Sequence, residues 1–202
     1  MTMTALTDEQ LMDRLKSGDT ASIDELYRRY AKKLYAFCGS LISARNPEDL
    51  VHDVFMRVIE KAHRYNQKKA SFRTWLFRIA RNRCIDFLRH EKKIKILSLE
   101  QKTAHSNGEK ALSLGDTLAG DGQHTEKSFE DKAAIQAVHD CIKGLQNEEE
   151  KQAIVLYYIL AKVYREIGEI FSKSITIVKR RIAAAEEKVK RCLERKGIVS
   201  FP

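Results

Sequence analysis

The chain has 202 residues, of which 43% are hydrophobic, and its 37 Lys and Arg against 28 Asp and Glu give a formal net charge of +9. No apolar run approaches the roughly 20 residues that a membrane-spanning helix needs, and the N-terminus lacks the basic start and apolar centre of a secretion signal. We therefore expect a cytoplasmic protein. Only two prolines and nine glycines, with apolar residues mostly at helical spacing, favour an all-α fold.

The predicted elements begin with a short helix. Thr7 and Gln10 fit a capping box, and Gly18 ends the helix. A second helix begins near Thr20 and runs to about Leu41. Apolar residues at helical spacing predict its buried face: Ile23, Leu26, Tyr27, Tyr30, Leu34, Phe37 and Leu41.

A third helix begins at Asn46-Pro47, an N-cap residue followed by a proline at the first helical position. Glu48 and Asp49 lie in its first turn, where the helix dipole favours negative charge. Capping accounts for these two acids but not for Asp53, one turn further along. The apolar stripe predicted for this helix is Leu50, Val51, Val54, Phe55, Val58, Ile59 and Ala62.

A strongly basic helix follows a polar loop over residues 63–70. Residues 61–95 hold 12 Lys and Arg against Asp86 and Glu91, a net of +10, whereas the other residues hold 25 basic and 26 acidic groups. Ser71 precedes an apolar run at helical spacing, which predicts a helix over 71–95 with one apolar and one cationic face. A solvated face is the ordinary explanation of such a pattern, but so uneven a charge favours a nucleic-acid surface.

The sequence then changes character. Residues 96–130 contain scattered glycines and polar residues with no sustained period, which is typical of a flexible linker. We therefore expect two small helical domains, an N-terminal bundle over 1–95 and a C-terminal domain over 131–202.

Helical spacing returns in the C-terminal domain. Asn147 is the predicted N-cap of a helix whose inward-facing residues are Ile154, Val155, Tyr158 and Ile159. Two further helices, from Val163 to about Phe171 and from Ile175 to about Arg195, are separated by the short turn 172–174. A short helix, a tight turn and a longer basic helix are typical of the helix-turn-helix motif, whose second helix enters the DNA major groove.

No pattern in the sequence predicts a metal site, a cofactor site or a catalytic residue. The four cysteines, Cys38, Cys84, Cys141 and Cys192, are far apart and lie in predicted helices, so we expect buried thiols rather than disulfides or metal ligands. The histidines do not pair with Cys or acidic residues at ligand spacing. There is no phosphate-binding glycine loop, nucleophile elbow or HExxH.

Several stretches together resemble a known family, the extracytoplasmic-function (ECF) bacterial sigma factors. SGDTASIDELYRRYAKKLYAFC is similar to their first conserved region, PEDLVHDVFMRVIEKA to the helix that binds the polymerase clamp, and ASFRTWLFRIARNRCIDFLRHEKK to the segment that melts and reads the minus-10 element. YYILAKVYREIGEIFSKSITIVKRRIAAAEEKVKRCL resembles the domain that reads the minus-35 element. The match covers residues 10–93 and 134–195 and is strongest in the first domain.

The resemblance implies a protein without chemistry of its own. It would bind core RNA polymerase, direct it to duplex minus-35 and melted minus-10 promoter DNA, and help to open the DNA. An anti-sigma factor or another regulator is an expected partner. The implied core-polymerase residues are Asp49, His52, Asp53 and Arg57.

The resemblance also implies two sets of DNA-binding residues. For the minus-10 element these are Lys68, Lys69, Ser71, Arg73, Arg78, Arg81, Asn82 and Arg89. Asn82 is the candidate for a base-edge contact, since an amide both donates and accepts hydrogen bonds. Trp75 could stack on a base, but its spacing with Phe72, Leu76 and Ile79 favours packing in the core. For the minus-35 element the residues are Ser174, Thr176, Lys179, Arg180 and Arg181.

The second domain departs from the family pattern. Ser172 stands where relatives usually have Gly, so a left-handed turn there would be strained. After Arg181 the usual Ser/Arg-rich stretch is replaced by Ala183–Glu187, and carboxylates facing phosphate are repulsive. His52 stands where the family commonly has Gln.

Two other functions stay open at this point. One is a stand-alone helix-turn-helix regulator, which would bind duplex DNA without polymerase and usually as a symmetric dimer. The other is an RNA-binding or anti-termination protein that uses the 71–95 helix as a basic platform. Neither requires an acidic clamp-binding helix beside a melting segment, which is the feature that distinguishes them from a sigma factor.

Overall fold

The computed structural model describes residues 3–42, 47–102 and 126–198, with side chains described in 3–42, 47–94 and 135–198. Within these ranges every regular element is helical, which confirms the all-α prediction. The α-helices are α1 Asp8–Lys16, α2 Ala21–Leu41, α3 Pro47–Lys61, α4 Phe72–Lys102, α5 Glu126–Lys143, α6 Glu148–Ile154, α7 Tyr164–Phe171 and α8 Ile175–Arg195. Short 3-10 helices cover Met3–Ala5 and Ala62–Arg64. None of the described helices is long and apolar enough to cross a membrane.

Helices α1–α4 form an N-terminal unit around one apolar core. The predicted capping box begins α1, with the Gln10 N–H donating to Thr7 Oγ1 and the Thr7 N–H donating to Gln10 Oε1. Helix α2 packs on α1 and α3, and α3 packs on α4. The largest side chains that this packing removes from water are Leu11, Met12, Leu26, Leu34, Phe37, Leu41, Phe72, Leu76 and Phe77, and their burial supplies most of the unit's stabilisation.

Helix α4 is longer than the sequence pattern predicts. It continues through residue 95 to Lys102, and α5 already begins at Glu126. The predicted linker over 96–130 is therefore helical at both ends, and its residues 103–125 lie outside the described residues. The polar face of residues 96–102 hides the helix from a pattern search, because an exposed helix needs no apolar period.

Helices α5–α8 form a C-terminal unit. Asn147 caps α6, its Oδ1 accepting hydrogen bonds from the N–H groups of Glu149 and Glu150. After α6 the chain winds into a π-helix over Val155–Ile159. The prediction that Tyr158 and Ile159 face inward is wrong: 59% and 43% of their surfaces are exposed. The π-helix adds a residue to the turn and so rotates these side chains off the buried stripe.

The turn between α7 and α8 has the geometry of a helix-turn-helix. Ser172 ends α7 at φ +54°, which confirms the left-handed turn expected at this residue. Ser174 begins α8 as its N-cap, with its Oγ accepting a hydrogen bond from the Ile177 N–H at 3.4 Å.

The cysteines lie in two close pairs, one in each unit. Cys141 on α5 and Cys192 on α8 form a disulfide, so the expectation of buried thiols is wrong for these two residues. A separation of 51 residues hides the pair in the sequence, because only the packing of α5 on α8 brings the two Cα atoms to 5.8 Å. Cys38 and Cys84 are buried free thiols with their sulfur atoms 3.6 Å apart.

The two units pack against each other. The main contact is between α4 and α7, and α2 also touches the π-helix, α5 and α6. This contact places the helix-turn-helix motif directly over the start of the basic helix α4.

Candidate nucleic-acid interface

Helix α4 is fixed in the N-terminal unit by its apolar face. Phe72, Leu76, Phe77 and Ala80 are fully buried there. Trp75 is half-buried and its ring lies 5.2 Å from the ring of Tyr65, so its position agrees with the core role that its spacing favours.

Polar contacts fix the start of α4 and its first turn. The Phe72 N–H donates to Glu9 Oε1 on α1 at 3.2 Å, and Ser71 Oγ donates to Thr74 Oγ1 at 3.0 Å. A free N–H at a helix start needs such an acceptor. The acidic helix α1 therefore anchors the end of α4 at which the predicted DNA-binding residues begin.

The loop before α4 is a compact basic turn. Asn66 Oδ1 accepts a hydrogen bond from the Lys68 N–H at 2.9 Å, and the Asn66 carbonyl accepts one from the Lys69 N–H at 3.0 Å. This local bonding is typical of an Asx turn. The side chains of Lys68, Lys69 and Ser71 are exposed, as a DNA-contacting loop requires.

The loop forms one wall of a cavity of about 570 Å³ between the two units. The N-terminal unit contributes Lys68, Lys69, Ser71, Arg73, Asp8, Glu9 and Tyr30 to its walls, and α7 contributes Arg165, Glu166 and Glu169. Basic and acidic groups therefore face each other across this space.

The predicted minus-10 residues of α4 divide into two groups. Asn82 and Arg89 are exposed. Arg73, Arg78 and Arg81 instead contact the C-terminal unit. Burial lowers the pKa of the Arg81 guanidinium from its ordinary value, although the nearby Glu149 carboxylate raises it.

Helix α3 carries the predicted polymerase-binding residues on its outer side. Asp49, His52 and Arg57 are exposed, and Arg57 lies 3.5 Å from Glu60 on the same helix. Asp53 differs, because its carboxylate forms an ion pair at 2.5 Å with Arg83 of α4. A contact within the protein thus accounts for the acid that helix capping could not explain.

The same face of α3 holds two exposed apolar residues that sequence reasoning did not identify. Met56 and Ile59 are 45% and 44% exposed, so the prediction that Ile59 is buried is wrong. Tyr27 of α2, also predicted to be buried, is exposed as well, with its ring 4.8 Å from that of Phe55. Met56 falls outside the apolar stripe of α3, and that departure was the available signal. Exposed apolar groups beside charges are typical of a protein-binding surface.

The predicted minus-35 residues also separate. Ser174, Thr176, Lys179 and Arg180 are exposed at the start of α8. Arg181 points toward α6 and pairs with Glu149 at 3.2 Å, so it belongs to the packing of α8 on α6.

The carboxylates later in α8 have partners within the protein. Glu186 accepts a hydrogen bond from the Tyr158 hydroxyl at 2.7 Å, and Glu187 pairs with Arg191 at 2.8 Å. These contacts reduce the repulsion that the sequence predicts between this stretch and phosphate.

Comparisons with known proteins agree with this arrangement. A family model for sigma-70 region 2 matches residues 26–94, the segment that contains α3 and the described side chains of α4. The ECF RNA polymerase sigma factor SigM of Bacillus subtilis (strain 168) is 26% identical over 178 residues, covering 86% of this chain and 96% of the relative. The chain belongs to the ECF sigma factor family. The ECF sigma factor RpoE of Cereibacter sphaeroides is 40% identical over 77 residues, which are 37% of this chain and 41% of the relative.

Two solved structures of similar fold support the same architecture for this ECF sigma factor. CnrH, in complex with the cytosolic domain of CnrY, has a TM-score of 0.64 at 20% identity and covers 93% of this chain and 97% of its own. RpoE of Bartonella quintana, in complex with the anti-sigma factor NepR, has a TM-score of 0.59 at 20% identity and covers 85% of this chain and 96% of its own.

Proposed function

We propose that this protein binds core RNA polymerase, recognises promoters and helps to open the DNA for transcription initiation. The observation that carries the proposal is the pairing of an outward-facing acidic helix, α3, with a basic helix, α4, inside the segment that matches sigma-70 region 2. The protein has no chemistry of its own and no cofactor in this proposal. It acts in the cytoplasm, where polymerase and the chromosome are found.

The outer face of α3 is the proposed polymerase-binding surface. Asp49, His52 and Arg57 supply charge and hydrogen bonds at the rim, while Met56 and Ile59 supply exposed apolar area next to them. Charge complementarity would guide the encounter and set the register, and the apolar residues would contribute affinity once water is excluded. Asp53 contributes to this surface from its ion pair with Arg83.

The basic loop and α4 are the proposed minus-10 surface. Lys68, Lys69 and the arginines of α4 would hold phosphates, which supplies affinity without sequence information. Asn82, exposed on α4, would contact a base edge. The cavity beside Ser71 is large enough for an unstacked base, since ligand pockets commonly span about 300–1,000 Å³.

The start of α8 is the proposed minus-35 surface. Ser174, Thr176, Lys179 and Arg180 are exposed together there, in the position from which a recognition helix reaches the major groove. Arg181 is better explained as a structural residue, because it pairs with Glu149 of α6.

A protein antagonist is the remaining proposed partner. The solved relatives CnrH and RpoE were each captured with another protein, which is named an anti-sigma factor in the case of RpoE. An antagonist of this kind would bind the present chain and keep it from polymerase.

Co-purification with core RNA polymerase tests the function. The wild-type protein should bind core polymerase and support run-off transcription from a pool of genomic fragments. An Asp49→Arg, Asp53→Arg double variant should lose polymerase binding, because two cations would replace the acids of α3. Glu187→Arg, on α8, is the matched control and should keep it.

The promoter-opening role has a separate test. Asn82→Ala should bind polymerase normally but form fewer open complexes, measured by permanganate footprinting of the melted strand. Unchanged opening would remove Asn82 from the minus-10 surface. Tight binding to a palindromic duplex without polymerase would instead favour the stand-alone helix-turn-helix regulator.

A further inference from the structure

We propose that the free protein is autoinhibited: its own C-terminal unit covers the minus-10 surface and competes with single-stranded promoter DNA. The docked surface consists of α7 and the start of α6, which lie over the first three turns of α4. This inference rests on the function proposed for α4, and it adds a regulatory state that needs no second protein.

The first two arginines of α4 are held by α7. Arg73 donates a hydrogen bond from its guanidinium to the Glu166 carboxylate. One and a half turns along, the Arg78 guanidinium donates to the backbone carbonyl of Glu169 at 2.5 Å. A carboxylate and a carbonyl oxygen near the end of a helix are the acceptors that a phosphate oxygen would otherwise provide.

The third arginine is removed from solvent more completely. The Arg81 guanidinium lies 4.5 Å from the centre of the Phe171 ring and 3.7 Å from the Glu149 carboxylate. Its side chain is only 14% exposed. A phosphate cannot reach Arg81 while Phe171, at the end of α7, covers it.

The cavity beside the basic loop is closed on the same side. Glu166 and Glu169 form its wall opposite Lys68 and Lys69. A nucleotide that entered the cavity would place its phosphate between lysines and carboxylates, and the carboxylates would repel it. The docked state and the DNA-bound state therefore exclude each other.

The contact is suited to reversible opening. Ion pairs and cation–π contacts dominate it, and interfaces between domains of this polar kind generally permit relative motion. The residues that join the units by sequence, 103–125, are long enough to let α7 move away while the two units stay tethered.

The recognition surface of α8 is left free in the same state. Ser174, Thr176, Lys179 and Arg180 remain exposed while the arginines of α4 are covered. Undocking should therefore increase affinity for single-stranded DNA without changing affinity for duplex minus-35 DNA. This difference separates autoinhibition from a general change in charge.

Substitution of Glu166 tests the proposal in the full-length chain. Glu166→Gln removes the charge that holds Arg73 but keeps an oxygen that can accept the Val163 N–H, the hydrogen bond at the start of α7. Glu166→Arg places a third cation beside Arg73 and Lys162. Glu187→Gln and Glu187→Arg are the matched controls, because they change the same charge on a residue that pairs only within α8.

The probes are a fluorescein-labelled pool of single-stranded DNA of randomised sequence, read by anisotropy, and small-angle X-ray scattering of the free protein. If about 90% of the wild-type molecules are docked, both Glu166 variants should bind the single-stranded pool about tenfold more tightly than wild type and than their Glu187 controls. Their radius of gyration should also increase. The wild-type radius should increase with salt, because screening weakens the ion pairs.

Equal affinities in the Glu166 and Glu187 variants, with an unchanged radius of gyration at every salt concentration, would overturn autoinhibition. Run-off transcription with core polymerase separates this failure from failure of the proposed function. Wild-type protein that directs transcription but shows no difference between the variants leaves the sigma-factor function intact and rejects only the docked state. Wild-type protein that gives no transcripts rejects the function on which the proposal rests.

Discussion

Asp53 on α3 accepts a hydrogen bond at 2.5 Å from Arg83 on α4, so one ion pair joins the proposed polymerase-binding helix to the proposed melting helix. Asp53 is about half exposed and Arg83 is about a quarter exposed. The pair is therefore partly screened by water, and we expect a modest contribution to stability.

Asp53→Asn should reduce the free energy of unfolding by about 0.5–1 kcal/mol, because the neutral amide keeps the shape but loses the charge attraction. Asp49→Asn, on the exposed outer face of α3, should leave stability unchanged. Urea denaturation followed by circular dichroism measures both variants, and added salt should reduce the difference between them. Equal midpoints at low salt would show that the Asp53–Arg83 contact does not stabilise the folded chain.

The turn of the helix-turn-helix makes opposite predictions for two nearby positions. Ser172 has φ +54°, a region that costs residues with a Cβ roughly 1–2 kcal/mol. Ser172→Gly should therefore raise the melting temperature. Gly168→Ala should lower it, because an added Cβ would lie 2.8 Å from the Lys173 backbone carbonyl oxygen, which cannot move without disturbing the turn.

Differential scanning calorimetry of these two variants provides the measurement. Ser174→Ala is a useful third variant, since loss of the N-cap of α8 should cost about 1 kcal/mol without touching the turn. A Ser172→Gly protein less stable than wild type would mean that the gain in unfolded-chain entropy exceeds the relief of backbone strain.

The disulfide predicts a redox-dependent stability. Cys141 and Cys192 close a long loop, with a separation of 51 residues, and cross-links of this kind stabilise by about 2–4 kcal/mol. Dithiothreitol should therefore lower the melting temperature of the oxidised wild-type protein. A Cys141→Ser, Cys192→Ser variant should melt at the same temperature with and without reductant. Alkylation of the unfolded, unreduced chain followed by mass spectrometry should label Cys38 and Cys84 alone; labelling of all four thiols would contradict the disulfide.

Local signals in the sequence were sufficient for most of the helices. The capping box at Thr7, the cap at Asn147 and the left-handed turn at Ser172 were all predicted correctly, because each depends on residues within a few positions of one another. The ends of α4 and α5 were not, since a polar helix has no apolar stripe to mark it. Tyr158 and Ile159 were misassigned because a π-helix changes the period on which the prediction depends.

The candidate site could be predicted only in part for a similar reason. Charge and spacing identified the basic face of α4, but they could not reveal that Arg81 lies under Phe171 or that Arg181 pairs with Glu149. Both contacts join residues far apart in the sequence, and no local period encodes which faces of two helices meet. Pairing of Cys141 with Cys192 was missed on the same ground.

Lys162 provides the last prediction, because it is a buried cation between the two units. Only 4% of its surface is exposed, and its ammonium lies 5.0 Å from the centre of the Phe77 ring on α4. Burial, with Arg73 of α4 and Lys33 of α2 nearby, lowers the Lys162 pKa to about 8, although Glu166 of α7 raises it.

The sign of the pH effect follows from that lowered pKa. Below about pH 8, Lys162 is protonated in both the folded and the unfolded chain, so the folded state carries the full cost of burying the charge. Between about 8 and the ordinary value of 10.5 the folded chain has lost this proton and the unfolded chain has kept it. The contribution of Lys162 to stability therefore rises with pH through that window.

Lys162→Met should consequently stabilise the protein at neutral pH, since methionine fills similar space without a charge. We expect a gain of about 1 kcal/mol, or roughly 2–4 °C in melting temperature for a chain of this size. The gain should shrink as the pH is raised from about 7 toward 10, where wild-type Lys162 is already neutral. Lys190→Met, at an exposed position of α8, is the control and should show neither effect. A lower melting temperature for Lys162→Met at neutral pH would mean that the attraction of Glu166 and Phe77 outweighs the cost of burying the ammonium group.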